Sequence, residues 1–152
     1  MLFWEDFHEG HVAVSGRYVV GREEIVAFAR KYDPNPLHLD DAAAEASAVG
    51  GLCASGWHIC AIAMRLLVDG LLANADCLGS PGIEETRFLA PVRPGMVLKL
   101  RRHILETRSS KSRPDMGIVK MRLELLDADN HAVCELVGPI MFGRRNPGFR
   151  PA

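Results

Sequence analysis

Trp57 to Ala73 reads WHICAIAMRLLVDGLLA, a stretch apolar on nearly every face of a helix. Ile59, Ile62, Met64, Leu66, Leu67, Val68, Leu71 and Leu72 leave no continuous polar stripe, and a helix apolar all round is expected to lie inside a protein. At about 1.5 Å per residue it spans roughly 25 Å, the width of a domain. Arg65 and Asp69, four apart, suit an ion pair where the helix nears solvent, and with both charges the run is expected to fall short of a membrane span.

Working outward, the residues after this helix change period. Ile83 to Leu89 is one strand candidate, closed by Pro91 and the Pro94-Gly95 turn. Leu98, Leu100 and Ile104 then alternate with Lys99, Arg101 and His103, and Val119, Met121, Leu123 and Leu125 with Lys120, Arg122 and Glu124. Asp127 to Asn130 turns into a last strand, Ala132 to Phe142. Before the helix, Val12, Val14, Gly16, Tyr18 and Val20 alternate as a strand, and Ile25, Val26, Phe28, Ala29 and Tyr32 fall at helical spacing. Asp33-Pro34-Asn35-Pro36 must end that helix, because proline disfavours α geometry just before it and has no N–H to give. A short Ala-rich helix over Asp40 to Ala48 and the Gly50-Gly51 break complete the approach. One long buried helix with an antiparallel sheet curled around it is an α+β plan, and residues 1–152 read as a single domain.

The 152 residues are 48% hydrophobic and 24% charged, with a net charge of −1. Such a balance gives no electrostatic reason to expect nucleic acid or an acidic membrane as partner. The opening residues lack a basic segment followed by an apolar one, so no secretory signal is expected. Four cysteines without a C-x-x-C pair sit among apolar neighbours, which suits reduced thiols in a cytoplasmic protein and argues against metal ligation.

The stretch that carries chemistry is Tyr32-Asp33-Pro34-Asn35-Pro36-Leu37-His38-Leu39-Asp40. Two prolines stiffen it, so its polar groups lose less entropy when held in place. Asp33 and His38 stand five apart across a non-helical bend, and a carboxylate beside an imidazole can hold a water and move protons near neutral pH. Asn35, between them, offers a donor and an acceptor. The same composition also makes an ordinary turn, with Asp33 as a loop cap and His38 as a packed core residue. A second stretch, Gly50-Gly51-Leu52-Cys53-Ala54-Ser55-Gly56-Trp57-His58, leads into the buried helix. Ser55 suits the N-cap, and Gly56 falls in the first turn, where free N–H groups and the helix dipole favour an oxygen gaining negative charge. Capping and tight packing alone also explain Ser-Gly here, and His58 reads as packed.

Together D-P-N-P-L-H-L-D and G-G-L-C-A-S-G-W-H before an apolar helix resemble the MaoC-like family of hotdog-fold hydratases and dehydratases, and bacterial acyl-CoA dehydratases with Ser-Gly-Trp-His within it. The resemblance continues through Phe88 to Gly95 and Ser112 to Gly117. It implies a hydro-lyase acting on trans-2-enoyl and (R)-3-hydroxyacyl thioesters of coenzyme A, with no metal and no redox cofactor. Asp33 and His38 would be the dyad that activates water, Asn35 would position it, and the Gly56 N–H would bind the thioester oxygen. Ser55 and Trp57, flanking that glycine, count as substrate-binding candidates; many members carry His where this chain has Ser55, which leaves Ser55 a structural role as well. Edge-to-edge pairing into a homodimer or larger homo-oligomer is also implied, and open sheet edges favour it.

Residues 101–113 hold five Lys or Arg against one Glu. Arg108, Lys111 and Arg113 in that run suit the phosphates of coenzyme A, or equally a solvated hairpin. Two further functions share the motifs. A hotdog thioesterase would aim water at the carbonyl, and a non-catalytic acyl-CoA-binding subunit would use the cleft without turnover. The paired Asp33 and His38 favour the lyase, because addition across a double bond needs a proton shuttle as well as a base.

Overall fold

The structure is a computed structural model and describes residues 1–147. Six strands, β1 (Val12–Val19), β2 (Cys77–Gly79), β3 (Glu85–Phe88), β4 (Val97–Ser109), β5 (Met116–Leu126) and β6 (Ala132–Gly143), form one antiparallel sheet in the order β1-β4-β5-β6-β2, with β3 also paired to β6. Three helices, α1 (Arg22–Tyr32), α2 (Asp41–Ala46) and α3 (Gly56–Gly70), lie between β1 and β2 in the chain. The sheet wraps α3 in the hotdog arrangement expected from the sequence.

Wrapping needs a bend in β1. Its register against β4 shifts between Ser15 and Tyr18, and Gly16 sits there with φ +80°, in the left-handed region. A Cβ at Gly16 would come within 2.4 Å of the Leu66 side chain, so the glycine lets the strand close onto the helix. The inner face of α3, carried by Ile59, Ile62, Ala63, Leu66 and Leu67, then packs with Leu98, Leu100, Val119, Met121, Leu125 and Phe142 in one core. The helix ends at Gly70, whose carbonyl accepts a hydrogen bond from Arg102 Nη1 at 2.7 Å.

Two expectations about α3 need correction. Its outer face is not buried: Trp57 is 73% exposed, Met64 50% and Val68 37%. An apolar helix face left open in one chain needs another surface to cover it. In addition, Gly56–Asn74, at 19 residues, is by length and composition long and apolar enough to cross a membrane. Its inner side is instead enclosed by the sheet, as in a core helix. The structure also adds elements that periodicity did not reveal: the short strand β2 and a 3-10 turn at Trp4–Asp6. Of Ile83 to Leu89, read as one strand, Glu85–Phe88 forms the strand β3, and the Glu84 and Leu89 N–H groups on either side also donate to β6 carbonyls.

Candidate active site

Helix α1 delivers the first site residue. Asp33 is its C-cap, its N–H donating to the Ala29 carbonyl at 2.9 Å, and Pro34 prevents another turn. The chain reverses through a 3-10 turn, Pro36–His38, capped by Asn35, whose Oδ1 accepts from the Leu37 N–H at 3.4 Å. This turn carries His38 back towards Asp33. His38 Nε2 stands 3.3 Å from Asp33 Oδ2. The histidine is buried, 9% exposed, while a third of the Asp33 side chain reaches the cleft.

The tautomer of His38 follows from its other nitrogen. Nδ1 lies 2.7 Å from the Cys53 carbonyl, which can only accept, so Nδ1–H donates and Nε2 is the atom left for chemistry. That carbonyl belongs to the loop entering α3, so the dyad depends on how firmly the loop is held. Two anchors hold it. The Ala54 N–H donates to the Val92 carbonyl at 2.9 Å, and Arg93 reaches back with Nη1 to the Gly51 carbonyl at 2.5 Å and Nη2 to the Val49 carbonyl.

Arg93 is a positioning residue that sequence reasoning passed over. The stretch Val92-Arg93-Pro94-Gly95 was read for its Pro94-Gly95 turn and as part of the resemblance, with no role given to Arg93. Arg93→Met is expected to cost about 2–3 kcal/mol of stability by stranding carbonyls that a charged donor now satisfies. Loosening of the Cys53 carbonyl should also lower turnover. Urea unfolding of the two proteins checks the first, and an unchanged midpoint would mean the clamp contributes nothing.

On the same cleft as the dyad, Gly56 opens α3, and its N–H belongs to the first turn, which has no partners within the helix. The approach is tight: a Cβ on Gly56 would lie 2.6 to 3.0 Å from three atoms of the Phe88 ring. Asp33, His38, Gly56, Trp57 and Phe88 thus share the walls of a cleft of about 440 Å³. The structure brings the expected Asp33, His38, Gly56 and Trp57 together, with Phe88 as an addition to the expected set; two other expected residues it places differently. The Asn35 side chain faces its own turn and contacts neither dyad member in the described hydrogen bonds. Ser55 occupies the N-cap position without the expected side-chain cap; its hydroxyl is fully buried, off the cleft wall, with no hydrogen-bond partner among the described residues. His58 is packed as expected, stacked on Phe28 with ring centroids 4.8 Å apart, and burial lowers its pKa.

Arg108, Lys111 and Arg113 do not reach this cleft in the same chain. Phe88, Cys134, Leu125 and Leu100 form one row across β3, β6, β5 and β4, and Arg108 lies eight residues farther along β4. At about 3.3 Å per residue that is roughly 26 Å. Arg108 Nε is 3.8 Å from Glu106, and Arg113 forms a 2.5 Å ion pair with Asp115.

Residues 6–123 match the family described as MaoC like domain. A MaoC-like dehydratase from Rhodospirillum rubrum superposes with a TM-score of 0.89 at 40% identity, covering 96% of this chain and 99% of that one. The (R)-hydratase PhaJ1 of Pseudomonas aeruginosa shares the fold at 20% identity, with a TM-score of 0.72 and coverage of 99% and 94%. The uncharacterized protein YdeM of Bacillus subtilis is 24% identical over 119 residues, 78% of this chain and 83% of the relative.

Proposed function

This chain belongs to the MaoC-like domain family, and from that premise we propose that it is a hydro-lyase that adds water reversibly to a trans-2-enoyl-CoA, giving a 3-hydroxyacyl-CoA. The observation that carries the proposal is the contact of His38 Nε2 with Asp33 Oδ2, 3.3 Å, on the wall of a cleft that the first turn of α3 also lines. The dehydratase name of the 40% identical R. rubrum protein agrees with it.

Water held at the dyad loses a proton as its oxygen bonds to C3, the double-bond electrons move to C2, and C2 takes up a proton. Between them Asp33 and His38 accept one proton and return one, so the pair ends the cycle with the proton count it began with. The thioester oxygen gains charge while C2 is electron-rich, and the Gly56 N–H, with the helix dipole behind it, is the donor to meet it. Asn35 acts by holding the turn that carries His38. Trp57 offers an exposed indole face to the acyl thioester. Addition of water changes no oxidation state overall, so the proposal invokes neither metal nor redox cofactor. The four thiols are free, which suits the reducing cytoplasm.

The assembly proposed is a homodimer or larger. Trp57, Met64, Phe88 and Leu89, each at least half exposed, lie on α3 and along β3 at an unpaired sheet edge. A second copy is the covering surface that best fits an edge strand beside an apolar helix face. Any contact of Arg108, Lys111 or Arg113 with coenzyme A phosphates then comes from that second copy. Light scattering at micromolar concentration should give at least twice the chain mass; a stable monomer would contradict this assembly.

The function itself is tested by mixing the protein with 2-enoyl-CoAs of different chain length and following loss of the conjugated-thioester absorbance. Loss of absorbance without release of free thiol supports the lyase. Release of free coenzyme A from saturated acyl-CoAs, with enoyl-CoAs untouched, would replace it by a thioesterase.

A further inference from the structure

A separate cavity lies at the far end of α3. Gly70, on its wall, ends the helix that Gly56 opens. At about 1.5 Å per residue the two glycines stand roughly 21 Å apart. The cavity measures about 290 Å³, and Phe7, Leu71, Ile104 and Met121 give it an apolar wall. Its polar side chains are Arg102, His11 and Asp6.

Arg102 occupies a position that alternation gives to an apolar side chain. Leu98, Leu100 and Ile104 of β4 are buried in the core, and a period of two puts Arg102 in the same row. Its neighbour Arg101, on the other face, has a carboxylate: Nε and Nη2 donate to Glu124 at 2.7 and 2.9 Å. Half-buried Arg102 has no such partner among the described residues. Its Nη1 caps α3 at the Gly70 carbonyl, which leaves Nε and Nη2 without an acceptor among those residues. Burial lowers its pKa, and no neighbouring carboxylate raises it. Asp6, the one carboxylate on the wall, is already taken by the Phe3 N–H at 2.8 Å and by Arg145 Nη2 at 2.7 Å. Capping the helix therefore explains one nitrogen of Arg102 and not its lack of a counter-charge. A guanidinium held on a core-facing row is costly, and an anion in the cavity offsets that cost.

We propose that this cavity is a binding site for a small amphiphilic carboxylate, with its head on Arg102 and its aliphatic body against Phe7, Leu71, Ile104 and Met121. A planar guanidinium takes a carboxylate through two parallel N–H donors, and Arg102 has donors to spare. One guanidinium matches a singly charged head. A phosphate dianion would bring a second negative charge that no further arginine or lysine on the wall meets. The volume sets the size of the body. A dry cavity of about 150 Å³ holds a six-carbon ring, and this one, at about 290 Å³, takes a carboxylate with a chain of roughly six to eight carbons. The site is distinct from the cleft and does not depend on the chemistry proposed there.

Octanoate, 1-octanol, acetate and inorganic phosphate, each titrated into the protein by calorimetry, test the site. Octanoate should bind about tenfold or more tightly than any of the other three, because only it brings both head and body. Two variants should each weaken octanoate by about tenfold or more: Arg102→Met, which removes the charged donors, and Ala13→Phe, which fills the space from β1. In a second arm, which needs no variant, octanoate is added to the wild-type protein and amide NMR resonances are followed. Those of residues 11–13 and 102–104 should shift. Absence of binding, or binding of 1-octanol, acetate or phosphate as tight as that of octanoate, overturns the proposal. So does an unmoved affinity in a folded Arg102→Met or Ala13→Phe, or a lack of shift at residues 11–13 and 102–104. If neither variant folds, the wild-type NMR arm decides.

Discussion

Asp33→Asn and His38→Gln are each expected to lower hydration of every accepted enoyl-CoA by about 10²–10⁴-fold, the range typical of a general acid–base group. The two replacements keep size and hydrogen bonding while removing the titratable function. Asn at the α1 C-cap still gives its backbone N–H to Ala29, and Gln at position 38 keeps a polar group on the short turn, so the fold should survive. The 3.3 Å contact adds a stricter expectation. Groups that handle one water as a unit lose activity together, so the double variant should be hardly worse than either single one. Additive losses, multiplied across the pair, would mean that Asp33 and His38 act in separate steps. Normal turnover in both single variants would remove the dyad altogether.

Gly56→Ala carries the second large effect, on different grounds. The added Cβ would sit within 3.0 Å of three Phe88 ring atoms, closer than real contacts allow, so either the ring or the first turn of α3 must shift. A displacement of about 1 Å at a donor that meets developing charge costs on the order of 10²-fold in turnover. Phe88 is half exposed, and removing its ring relieves the clash. The pair Gly56→Ala with Phe88→Ala should therefore recover part of the lost kcat relative to Gly56→Ala alone. Steady-state kinetics on one enoyl-CoA reads both. If the second substitution gives no recovery, the loss has a cause other than crowding at the helix entry.

What the sequence made legible were features with local causes. Helix α1 ends at Tyr32 because Pro34 and Pro36 follow, and its bounds match the periodic stretch. The Asp33 and His38 meeting was also readable, since a five-residue bend stiffened by prolines leaves few ways for the side chains to diverge. Other features had distant causes. Arg93 holds the loop at Val49 and Gly51 from more than forty residues away, and nothing in the local pattern of a Pro-Gly turn announces that reach. The His38 ring is fixed by a backbone carbonyl, at Cys53, to which residue identity is blind. Composition also misplaced two surfaces. An apolar helix was read as buried all round, whereas Trp57 and Met64 face outwards from the single chain. Arg108, Lys111 and Arg113 were grouped with the site on charge, and strand length puts Arg108 about 26 Å along β4 from the cleft of the same chain.

The central claim is that the dyad delivers water to the β-carbon of an acyl thioester rather than to its carbonyl. Turnover of a trans-2-enoyl-CoA in water enriched in heavy oxygen, with the products analysed by mass spectrometry, tests this directly. The account predicts heavy oxygen in the 3-hydroxyl group of an intact thioester, and no label there with Asp33→Asn. Heavy oxygen in a released free carboxylate, with the 3-position unlabelled, would contradict it.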